Sequence, residues 1–141
     1  MQSEQLSKLI VRLQSLGKMK FLSGATVEQI EKFEVEKGIN LPTQYKAWLL
    51  LADGGEFFLP AGVQLYGVAH KPIIDIDEDD RPDSSYTVIG ALSTGDPVLC
   101  KKGSEEIAIY NHEGGRIEDD EIYSDFLSFL DGLPEMLGIE G

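Results

Sequence analysis

The sequence has a single cysteine, Cys100, so no disulfide can close within the chain and the fold needs no oxidising compartment. Long apolar runs are missing too. The longest, Ala47-Trp-Leu-Leu-Leu-Ala52, falls far short of the roughly 20 residues that cross a bilayer. The opening residues, Met1-Gln-Ser-Glu-Gln-Leu6, have no basic stretch leading into an apolar one, so no secretory signal is expected and the default compartment is the cytoplasm. Positive charge is scarce: twelve Lys and Arg face twenty-five Asp and Glu, for a net charge of −13. The deficit is unevenly placed. Residues 1–52 carry seven bases and five acids, whereas residues 53–141 carry five bases and twenty acids, a net −15. Such a field repels nucleic acid and anionic membranes and favours a cationic partner. It also serves plain solubility, and both readings stay open at this level.

What is present describes a globular chain. Hydrophobic residues make up 42% and charged residues 26%, enough for an ordinary core, and 141 residues point to one domain spanning 1–141. Leu6, Leu9, Ile10, Leu13 and Leu16 recur at helical spacing, with Ser3 as expected N-cap and Gly17 as expected stop. A basic connection, residues 17–24, follows. Thr26-Val-Glu-Gln29 is a capping box opening a second helix that buries Val27, Ile30 and Phe33 and stops at Gly38. Pro42 opens a third, in which Leu41, Tyr45, Trp48, Leu49 and Ala52 form the apolar stripe before Gly54-Gly55 ends it. Strand-like runs then cover 63–68, 86–92, 97–101 and 106–110, with hairpin turns at Gly95-Asp96 and Gly103-Ser104. Residues 75–83 are too charged for a core element and read as a loop. Beyond Gly114-Gly115, Ile122, Phe126, Leu127, Phe129, Leu130 and Leu133 return to helical spacing. Helices, an antiparallel meander and a closing helix define an α+β class.

Searches for chemistry return little. Asp75, Asp77 and Asp79 begin like a calcium loop, but the sixth position is Asp80 instead of glycine and the twelfth is Tyr86 instead of glutamate. Cys100 lies in the apolar run Val98-Leu-Cys, where a thiol behaves as a small core residue, so a nucleophilic pair with His112 is not expected. Only His70 and His112 are available as imidazole ligands, without partners at zinc spacing. The glycine pairs lack phosphate-binding spacing. No catalytic residue, cofactor or metal is therefore expected.

The stretch Thr26 to Gly55 carries a more specific signal. A helix ends at Gly38, Leu41-Pro42 opens the next, that helix bears Tyr45 and Trp48, and Gly54-Gly55 closes it. This resembles the signature of the SUKH superfamily, the Smi/Knr cell-wall-regulator homology domains. Tyr86-Thr-Val-Ile-Gly-Ala-Leu92, Gly95-Asp-Pro-Val-Leu-Cys100, Ile109-Tyr-Asn-His-Glu-Gly-Gly115 and Phe126-Leu-Ser-Phe-Leu130 extend the resemblance over roughly residues 24–131. The resemblance implies a curved, mostly antiparallel sheet packed by helices and a non-catalytic binding role. In bacteria it implies an immunity protein that neutralises a polymorphic or contact-dependent toxin, of nuclease or deaminase class, by stoichiometric occlusion. The alternative it implies is a regulatory scaffold of the cell-wall synthesis and signalling type. The expected contact residues are Asp75, Asp77, Glu78, Asp79 and Asp80 in one loop, with Glu118, Asp119, Asp120 and Glu121 in another. The competing reading of both clusters is a solvated, solubilising loop.

Overall fold

The computed structural model describes residues 2–59, 62–70, 73–74, 85–111 and 113–137, with the backbone alone at 2, 3, 59 and 118–120. Helix α1 (Gln2–Gln14) buries Leu6 and Leu13 as its stripe predicts. Its ends differ from expectation. Ser3 lies inside the first turn, and the helix closes through Ser15, whose hydroxyl donates to the Arg12 carbonyl at 2.6 Å. Gly17 has a different role: a Cβ there would lie 2.7 Å from the ring of Phe58, so glycine admits that ring. Phe58 itself sits at φ 58, a left-handed backbone that is costly for an aromatic residue and is offset by near-complete burial.

The basic connection is in fact a strand, β1 (Lys18–Phe21). Lys18 and Lys20 are exposed while Met19 and Phe21 pack on the core, so a two-residue period was present but too short to stand out. Helix α2 (Val27–Lys37) has its full capping box, with Thr26 Oγ1 accepting from Gln29 N, and ends at Gly38 in the left-handed region. Ile30 and Phe33 are buried as expected, but Val27 is 52% exposed. Helix α3 spans Thr43–Leu51, with Pro42 as its N-cap and not its first residue. Proline has no capping side chain, and the carboxylate of Glu105 takes over the role. It accepts from Thr43 N at 2.9 Å and Gln44 N at 3.2 Å.

Strands β2 (Gly55–Leu59), β3 (Val63–Leu65), β4 (Tyr86–Leu92), β5 (Pro97–Lys101), β6 (Ile107–Asn111) and β7 (Arg116–Tyr123) complete the sheet before helix α4 (Phe126–Met136). The seven strands pair antiparallel in chain order, leaving β1 and β7 as open edges. An isolated parallel bridge joins Gly67 to Ile73. β4 and β5 match their expected spans, and Gly95 adopts the positive φ of the hairpin turn. β2 and β7 were not expected. β2 follows directly on the Gly54-Gly55 helix stop, and β7 is rich in acids that read as a loop.

The helices cover one face of this sheet. Trp48 and Tyr45 on α3 meet Phe57, Phe126 and Phe21; the Phe21–Trp48 and Tyr45–Phe126 ring pairs stand edge to face with centroids 5.0 Å apart. The Trp48 indole N–H finds no acceptor among the described residues, so packing alone holds it. Val88, Leu99 and Ala108 oppose one another across β4, β5 and β6 on the other face and are buried too. Buried Gln44 ties α3 to α4: its amide oxygen accepts from Leu127 N at 2.8 Å and its nitrogen donates to Asp125 at 3.2 Å.

Trp48→Ala should cost about 3–5 kcal/mol, the usual effect of emptying a large aromatic site. A denaturation midpoint equal to wild type would contradict the packing described. Asp125 caps α4 by accepting from Ser128 N at 2.8 Å. Burial acts to raise its pKa, but hydrogen bonds from Ser128 and Gln44 outweigh that and hold the carboxyl below its ordinary 3.8. A carboxylate with a depressed folded pKa stabilises above its unfolded value, and the contribution is lost as pH falls through the folded one. Asp125→Ala should therefore cost about 1 kcal/mol near neutrality. In urea titrations across pH, its gap from wild type should narrow only below about 3.8.

Candidate partner interface

The structure treats the two expected acidic clusters differently. Asp75, Asp77, Glu78, Asp79 and Asp80 lie outside the described residues. The chain leaves the sheet at Ile74, which is buried and donates its N–H to the Gly67 carbonyl at 2.9 Å, and is described again from Ser85 into β4. Glu118, Asp119, Asp120 and Glu121 do not form a loop; they belong to strand β7. They sit between the Tyr110–Ile117 and Ala108–Ile122 pairs, so four acids on β7 oppose the single residue Ile109 on β6. This is a large bulge at an open sheet edge. Chain pushed out of the ladder has no partner strand to satisfy, and bulges and charged residues at open edges generally deter strand addition from another molecule. Glu118, Asp119, Asp120 and Glu121 thus share one bulge of the β7 backbone.

A further acid went unrecognised in the sequence. Asp53 is completely buried, and its carboxylate accepts from Val68 N at 2.7 Å, Ala69 N at 2.8 Å and His70 N at 2.7 Å. His70 Nδ1 lies 3.0 Å from the same carboxylate. Three backbone donors converging on one anion form a nest that compensates its desolvation. The next residue, Gly54, adopts φ 97, and a Cβ there would meet the Leu65 carbonyl at 2.9 Å, so only glycine lets the chain turn into β2 at this point. Asp53 therefore sets the turn at 68–70, just before Ile73, Ile74 and the first acidic cluster. The only trace in the sequence is an acid in a helix-ending Asp-Gly-Gly, which reads equally well as an exposed turn.

Nucleophilic groups are poorly placed for chemistry. Burial pushes the Cys100 thiol up to about 12, and Lys102 only partly offsets this. Burial likewise holds the Tyr45 hydroxyl well above 10.0; it donates to the Tyr66 carbonyl. His112 lies outside the described residues. Among the described residues, no cluster of three or more His, Cys, Asp or Glu side chains could hold a metal ion, and no helix is long and apolar enough to cross a membrane.

Asp53→Ala strands three backbone donors in a closed site and should cost about 3–5 kcal/mol, comparable to breaking a buried charge pair. Asp53→Asn, which keeps one acceptor oxygen, should lose less. Equal stability of both variants with wild type would show that the turn does not depend on this carboxylate. Native Cys100 should react with a thiol-directed dye only on the timescale of unfolding. Labelling as fast as that of a small free thiol would overturn its assignment to the core.

Curated proteins provide no match to the chain. The profile of the SMI1 / KNR4 family (SUKH-1) matches residues 24–132, from just before the Thr26 capping box into α4. With most of its length inside that match, and with the motif from Gly38 to Gly54-Gly55 building the α2–α3 unit of its core, the chain belongs to the SMI1 / KNR4 family.

Proposed function

We propose that this protein acts by binding and not by catalysis, as an immunity protein that occludes a cognate toxin domain of nuclease or deaminase class. The observation that carries the reading is the placement of acid. The net −15 of residues 53–141 includes four consecutive carboxylate residues on the bulged β7 edge. A toxin that acts on nucleic acid presents a cationic substrate surface, and an acidic edge competes for that surface with the substrate. Asp75, Asp77, Glu78, Asp79 and Asp80 supply further contacts in this mechanism. The family match supports a protein-binding role, and the cytoplasm is the compartment in which such an inhibitor protects its own cell.

Steered encounter reaches about 10⁸–10⁹ M⁻¹s⁻¹ at low salt, against roughly 10⁵–10⁶ for neutral surfaces. The association rate with a toxin domain encoded by the neighbouring gene should therefore fall steeply as salt shortens the Debye length from about 10 Å at 0.1 M to about 3 Å at 1 M. The combined substitutions Asp77→Asn, Asp79→Asn and Asp80→Asn should weaken protection on co-expression with that toxin. They should leave Tm at or above wild type, because they remove like charges from an already anionic chain. Full protection by this variant with a salt-independent association rate would move the interface elsewhere. A neighbouring gene that encodes no toxin, together with co-purification of cell-wall synthase or kinase components, would replace immunity with the scaffold role.

A further inference from the structure

We draw no further inference here: the strongest candidate, a cavity of about 170 Å³ between β2, β3 and β4 with Glu56 and Gln64 in its lining, has the exposed cation Lys20 directly opposite Glu56 on β1, so nothing in the structure shows what would occupy it.

Discussion

A buried carboxylate without partners costs several kcal/mol, and Asp53 is buried at the junction where helices give way to sheet. Its oxygens must collect donors, and the donors are the backbone of residues 68–70 and the ring of His70. That requirement pins the end of α3 and the start of β2 to the turn beyond β3. It also fixes where the chain turns toward Ile73, Ile74 and the first acidic cluster. Alternative packings of the α3–β2 junction leave this charge uncompensated, at a cost of several kcal/mol, so the contact selects one arrangement as much as it stabilises it.

Distant polar groups work similarly around α3. Glu105 caps a helix that starts 62 residues before it, and Gln44 satisfies the first turn of α4 with one end of its amide and the Asp125 cap with the other. These contacts aim α3 so that Trp48 and Tyr45 reach Phe21, Phe57 and Phe126. The residues that carry the family resemblance are therefore core and turn residues. Tyr45, Trp48 and Leu41 are buried, and Gly38 and Gly54 hold left-handed backbone. They mark the family because the fold requires them, which leaves specificity to the surface. The surface features differ by region: four consecutive acidic residues in the backbone bulge of β7, and exposed Val27 and Val35 on α2.

Much of the architecture was legible in the sequence because its signals are local. The stripe of α1, the Thr26–Gln29 capping box, the Pro42 start and the β4–β5–β6 hairpins depend on neighbours within a few residues, where spacing and turn chemistry decide the outcome. The three strands that escaped notice, β1, β2 and β7, are short, begin at a helix stop, or are filled with acid, and they become strands only because a neighbouring strand offers its hydrogen bonds. Of the candidate interface, the sequence located the acids at 118–121 but not their setting.

By itself the sequence determined the class, the helices and the excess of negative charge, which follow from composition and short-range pattern, and the family, which follows from the match over residues 24–132. Tertiary structure alone decided which acids are surface and which are structural. Asp53 and Glu31 are the same chemistry in sequence, yet one lies in a closed nest of N–H groups and the other stands exposed on α2. The difference comes from what the folded chain places around each carboxylate, because desolvation and hydrogen bonding depend on position in space and not on position along the chain.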